Sequence, residues 1–238
     1  QLIPPVIADV MQYEDSFVAV PVNVHRVNWL WANPEVLESA GVSVPETLEE
    51  FYAAAEKLEA EGVIPLAHGG QPWQDATVFE AVALAVMGPD DFASAFVEHD
   101  MDVINSAQME EVFAEFAKVM SYVDDNAAGR DWNTATGMVI RGEAAMQIMG
   151  DWAKGEFTAA GLTPGEDYVC AAAPGTGGQF TFNVDSFAMF SLSDEDNTKA
   201  QKDLARTIME PEFQTVFNKA KGSIPVRTDR SEEHTSEL

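Results

Sequence analysis

The sequence predicts an α/β fold, and three observations carry that prediction. Ala144–Met149 is a short run, apolar apart from Gln147 and ended by Gly150, which suits a buried strand better than a helix. Segments with apolar residues at helical spacing, such as Leu48, Phe51, Tyr52, Ala55 and Leu58, alternate with such runs. Gln179–Leu192 alternates in period two, with Phe180, Phe182 and Val184 set against Thr181, Asn183 and Asp185. Strands alternating with helices imply a substantially parallel sheet.

In chain order, 15–21 (DSFVAVP) and Val22–Trp31 (VNVHRVNWLW) read as extended segments. Asn33-Pro34 supplies an N-cap with proline at the first helical position, and Gly41 ends that short helix. Thr47 and Glu50 form a capping box, and Gly62 closes the helix it opens. Val63–Ala67 is a short strand, and His68–Gln74 (HGGQPWQ) is a Gly/Pro loop. Asp75–Met87 is an apolar helix stopped at Gly88-Pro89, and a second helix begins near Asp90. Ser106–Val123 is amphipathic, with Met109, Val112, Phe113, Phe116 and Met120 on one face. Asn133–Ile140 is a short helix before the 144–149 strand. Two helices, Asn197–Met209 and Glu212–Ala220, flank Pro211, and a turn follows at 221–225 (KGSIP).

Composition bounds the functions. The chain has 238 residues, 46% apolar with five Trp, enough for one large domain or two lobes. No run of 18 apolar residues exists to span a membrane. Forty acidic residues against 13 basic give a net charge of −27, a poor surface for nucleic acid or anionic lipid. Such self-repulsion strains a compact fold unless salt screens it, so resistance to unfolding should rise with salt concentration. A denaturation midpoint unmoved by salt would count against that expectation. Cys170 is the single cysteine, so neither an internal disulfide nor a cysteine-based metal site can form. It lies in an apolar, strand-like run (YVCAAAP) and reads as a small core residue with an unreactive thiol. No HExxH, GxSxG, P-loop or GxGxxG motif stands in its proper context, and neither a cofactor nor a metal is expected.

The stretch 143–157 (EAAMQIMGDWAKGEF) is the most informative. After Gly150, Asp151 occupies the N-cap position and Trp152 the first turn. That places an indole at the carboxyl end of a strand, the edge where open α/β sheets bind ligands. The flat indole matches the C–H face of a pyranose ring, although a large aromatic there reads equally as core. In the 179–192 strand, Asn183 and Asp185 point to the same face.

Five separated segments, VPVNVHRVNWLWANPEVLESAG, AHGGQPWQDAT, GDWAKGEF, FTFNVDSFAMF and KGSIPVR, occur in order from about residue 1 to Thr228. Together they resemble the extracellular solute-binding proteins of ATP-driven sugar importers, the glucose/mannose-binding branch in particular. The resemblance implies a type II periplasmic-binding-protein fold, two α/β lobes joined by crossing strands that rotate to close on a sugar. Here it would give most of the C-terminal lobe with fragments of the N-terminal one. Residues 1–24 would be an N-lobe fragment and crossing strand, 25–182 the C-terminal lobe, 183–222 a crossing strand with N-lobe helices, and 223–238 a return segment and tail.

By the same resemblance, Trp152 matches the stacking platform, Asn183 and Asp185 the groups that bond sugar hydroxyls, and Lys221 a lysine reaching the sugar from a turn. His68, Gln71 and Trp73 fall in a loop facing the cleft, with loop stabilisation as the plain alternative. His25 and Arg26 are on the crossing segment, where either lines the cleft or anchors the hinge, and both rank below the other candidates. The implied partners are a glucose-like monosaccharide and a membrane permease, the implied place periplasmic or extracellular, the implied state monomeric. The competing reading is a glycoside hydrolase using Asp151 and Asp185 as paired carboxylates, which release of aglycone from an aryl glucoside would reveal.

Members of that family carry roughly a hundred further residues before this start and more after KGSIPVR. The resemblance therefore implies truncation at both ends, impaired sugar binding, exposed apolar surface and a tendency to aggregate. Micromolar glucose binding would contradict it. The last nine residues, RSEEHTSEL, depart from the pattern and resemble a translated sequencing adapter, and Ser231–Leu238 is expected to be disordered.

Overall fold

The computed structural model describes residues 2–230, so the expectation for Ser231–Leu238 lies outside the described residues. The chain divides into two compact units: residues 26–181 form one, and the segments on either side of them form the other.

The chain begins with α1 (Pro5–Val10), the hairpin of β1 (Gln12–Tyr13) and β2 (Ser16–Phe17), then β3 (Ala19–Pro21) and β4 (Asn23–Arg26). Val20, Val22 and Val24 are buried, but so are Asn23 and His25, so this segment has no solvent face. Residues of such a strand need polar partners for every buried donor and acceptor.

In the larger unit β5 (Trp29–Ala32) leads to α2 (Pro34–Ser39), α3 (Leu48–Ala60) and β6 (Ile64–Leu66). Asn33 caps α2 as its sequence predicts, accepting from the Val36 amide at 3.1 Å. Thr47 caps α3, yet Glu50 reaches back one residue further than a capping box requires, accepting from the Glu46 amide at 2.8 Å. Next come α4 (Pro72–Phe96), α5 (Met101–Ile104), α6 (Ala107–Met120), α7 (Trp132–Ile140) and β7 (Ala144–Ile148). The α4 segment is two helices broken at Gly88, whose φ of 75° leaves the helical region. Its first turn starts at Pro72, so Trp73 and Gln74 are helical and the expected loop ends at Gln71. On α6, Met109 and Val112 are buried, but Phe113 is 57% exposed, its ring tilted by 43° against Phe79 with centroids 5.1 Å apart. A 3₁₀ turn (Asp151–Ala153), α8 (Lys154–Ala159) and β8 (Val169–Ala172) complete this unit.

Its sheet has the order β6-β7-β5-β8. Only β6–β7 is parallel; β5 runs antiparallel to both β7 and β8. β6, β7 and β8 therefore run in one direction, as expected of a sheet with substantial parallel character, and β5 is inserted between β7 and β8 in reverse. Two helices, not one, separate β5 from β6, and an even number of helical passes returns the chain to the end it left. All five residues of β7 are buried, as expected of that run. Below the sheet Trp31, Phe157 and Tyr168 stack with centroids 4.3–5.9 Å apart.

The chain returns as β9 (Phe182–Asn183) and β10 (Ser186–Ala188), then α9 (Glu195–Ile208), α10 (Pro211–Lys221) and β11 (Ile224–Pro225). The expected single strand over 179–192 is thus broken. The Asp185 amide donates to the Asn23 side chain at 3.1 Å instead of continuing the ladder, so alternation does not carry from Asn183 to Asp185. In this smaller unit Phe17, Phe187 and Phe190 are exposed, and a groove of about 770 Å³ runs between Phe17, Val20, Met189, Ala205 and Met209.

Candidate functional site

In the larger unit the site residues gather where β6 and β7 end. His68 is buried at 1% exposure, with Nε2 2.8 Å from Asp75 Oδ1 in the first turn of α4. Its carbonyl accepts from Arg130 Nη1 at 2.9 Å, and Arg130 grips Asp124 through two 2.7 Å bonds. Those hydrogen bonds hold the Asp124 carboxyl below its ordinary range. Gly70 donates to the Arg130 carbonyl at 3.0 Å. A Cβ on Gly70 would sit 2.4 Å from the Gly129 nitrogen, so only glycine lets these two loops close. Gln71 follows, donating to Asp131 Oδ1 at 2.8 Å and accepting from Trp73 Nε1 at 2.8 Å. The 42%-exposed Trp73 ring lies 6.2 Å from the half-buried Trp152, tilted by 56°.

Asp151 is not the cap that its position predicts. Gly150 is the N-cap, and Asp151 is fully buried with Oδ2 accepting the Arg26 amide at 3.0 Å. A carboxylate spent on main chain inside the protein is a poor hydrolytic group. Nearby, burial pushes the Cys170 thiol up to about 12, in keeping with an unreactive side chain.

In the smaller unit Asp185 Oδ2 accepts from Asn23 Nδ2 at 3.0 Å and lies 3.2 Å from His25 Nε2. Burial pushes this carboxyl up. The Asn23 hydrogen bond, the His25 and Lys221 charges and the His25 hydrogen bond outweigh it and leave Asp185 below the ordinary range. Its side chain keeps 47% exposure, so the carboxylate is pre-oriented yet open to solvent. Lys221 is exposed at the last turn of α10, before the left-handed Gly222 with φ 76°. Asn183 is exposed, and its side chain makes no hydrogen bond among the described residues.

The structure therefore brings Gln71, Trp73 and Trp152 together in one unit, and Asp185, His25 and the charge of Lys221 in the other. His68 is turned inward, and His25 at 1% exposure addresses Asp185 rather than solvent. Sequence reasoning missed Asn23 and Asp131. Asn23 had a usable signal, a lone amide between Val22 and Val24.

An α/β unit bearing an exposed aromatic corner beside amide and carboxylate groups is the equipment of a small-polar-ligand binder. The bacterial extracellular solute-binding protein family matches residues 1–210. The chain belongs to that family. It is 48% identical over 229 residues to a probable sugar-binding periplasmic protein of Brucella suis, covering 96% of this chain and 54% of that one. A relative of the same description from Rhizobium meliloti is also 48% identical over 229 residues, covering 96% and 55%. The chain thus spans about half the length of these curated relatives. A manno-oligosaccharide-specific solute-binding protein of Bifidobacterium animalis, solved with mannotriose, shares the fold at 21% identity and a TM-score of 0.76, over 98% of this chain and 58% of its own.

Proposed function

We propose that the chain is part of the substrate-binding component of an ATP-driven sugar importer, working outside the cytoplasmic membrane and delivering a glucose-like monosaccharide to a permease. The observation that carries this reading is the indole pair Trp73–Trp152 beside Gln71 and Asp131. An indole face covers the C–H face of a sugar, while amides and carboxylates bond its hydroxyls.

In this reading Trp152 and Trp73 stack on the sugar, with Gln71 beside them. Asp185, Asn183 and Lys221 recognise hydroxyls, and His25 acts through Asp185. His68 shapes the Gln71 loop through Asp75. The larger unit corresponds to the C-terminal lobe and the smaller to part of the N-terminal lobe, acting as a monomer. The relatives from Brucella suis and Rhizobium meliloti are named for sugar binding without a named sugar, and the Bifidobacterium protein holds mannotriose. A glucose-like preference rests on the aromatic platform and on the motif resemblance.

Titration calorimetry of the complete binding component with glucose, mannose, xylose and mannobiose tests the reading; the 238-residue chain alone, about half the length of its relatives, is expected to bind weakly or not at all. For the complete component the reading expects heat with the monosaccharides, glucose first, and no aglycone release from an aryl glucoside. Absence of heat with every sugar overturns it.

A further inference from the structure

We propose that Asp151 is a positioning residue for Trp152: its buried carboxylate ties the 3₁₀ turn to the Arg26 amide and thereby sets the angle at which the indole is presented. This rests on the reading of Trp152 as the sugar platform.

The turn is three residues long, and neither it nor α8 has a side-chain cap. The indole folds back over Gly150, where an added Cβ would sit 2.2 Å from Cζ3 of the ring. A glycine leaves room for that pose but does not select it. A contact that fixes the backbone between Gly150 and Trp152 helps to select it, and Asp151 supplies one.

Its carboxylate reaches across 125 positions of sequence to the Arg26 N–H at 3.0 Å. The anchor is itself immobilised. The Arg26 guanidinium stacks 3.9 Å from the Trp29 ring centroid and donates to Asn28 Oδ1 at 3.3 Å and to the Gln179 carbonyl at 3.1 Å. Behind the turn, the Met149 carbonyl accepts from the buried Trp31 indole at 2.8 Å and its amide donates to the Trp29 carbonyl at 3.1 Å. The turn is thus clamped on both sides by β5 and its approach, once through Met149 and once through Asp151. A charge-assisted bond to a main-chain donor is short, directional and strong when buried. The indole position inherits that precision, and platforms held by rigid neighbours recognise ligands best.

The Trp73–Trp152 pair supplies a readout that needs no ligand. Two indoles 6.2 Å apart and tilted by 56° couple excitonically and give a circular-dichroism couplet, isolated by subtracting the Trp152→Phe spectrum. Three variants of the 238-residue chain are compared with wild type: Asp151→Ala, which removes the tie, Asp151→Ser, whose hydroxyl is one bond too short to reach the amide, and Asp151→Asn, which keeps an acceptor for it.

The proposal expects the couplet to fall by at least half in folded Asp151→Ala, to fall likewise in Asp151→Ser, and to survive in Asp151→Asn. If Asp151→Ala fails to fold, Asp151→Ser decides. An unchanged couplet in whichever truncation folds overturns the proposal, as does a lost couplet in folded Asp151→Asn whose Arg26 amide stays protected from exchange. Glucose titration of the same variants made in the complete binding component separates this from the sugar reading. A lost couplet with unchanged glucose binding leaves the positioning role standing and removes the platform role. An unchanged couplet with lost binding does the reverse.

Discussion

In the complete binding component, Trp152→Ala is expected to weaken monosaccharide binding by about five- to thirtyfold. Covering one pyranose face on an indole contributes on the order of 1–2 kcal/mol by apolar area, and each 1.4 kcal/mol is about tenfold in affinity. The loss should exceed that of Trp73→Ala, because Trp152 is half-buried and seated against Gly150 while Trp73 is 42% exposed. Calorimetry on the two variants checks the order. The fold should survive both changes, since neither ring is among the fully buried side chains. Equal affinity in Trp152→Ala and wild type would remove the platform role.

Trp31→Ala is expected to show the largest loss of stability, about 3–5 kcal/mol by the usual cost of deleting a buried large aromatic. Trp31 is completely buried and stacks on Phe157 and Tyr168 at 5.4 and 5.9 Å. Its loss also leaves the Met149 carbonyl without its 2.8 Å donor, and an unsatisfied buried acceptor adds about 1–3 kcal/mol. Urea unfolding of the larger unit should shift to markedly lower midpoint with little change in slope. Met149 is two residues before Asp151, so the same variant should also loosen the turn that carries Trp152. A midpoint unchanged from wild type would show that the stack does not hold this edge of the sheet.

Local chemistry was legible in the sequence, and long-range partners were not. Asn33-Pro34, Thr47, Ser106 and the Gly88-Pro89 break act within a few residues, and each is where its residue type predicts. The β7 run was legible because burial on both faces leaves an unbroken apolar string. Strand direction was not, because it depends on how many helical passes intervene, as between β5 and β6. The Asp185 environment failed for a related reason: Asn23 replaces a ladder bond there, and nothing in FTFNVDSF marks a partner 162 positions away. Asp151 looked like a cap because capping is what an aspartate after glycine usually does. Its actual partner, the Arg26 amide, became visible only once β4 and the turn were folded together. Of the candidate residues, Trp73 and Trp152 lie against each other although neither segment marks the other, and the inward turn of His68 needed α4 to begin at Pro72 and bring Asp75 within reach.

The most direct measurement is indole N–H chemical-shift mapping of this chain's five tryptophans, within the complete binding component, during a glucose titration. Trp152 and Trp73 should move together in a saturable way, while the sealed Trp31, bonded to Met149, stays fixed. A titration that leaves Trp152 and Trp73 unmoved, or that shifts Trp31 as much as either, contradicts the sugar-platform account.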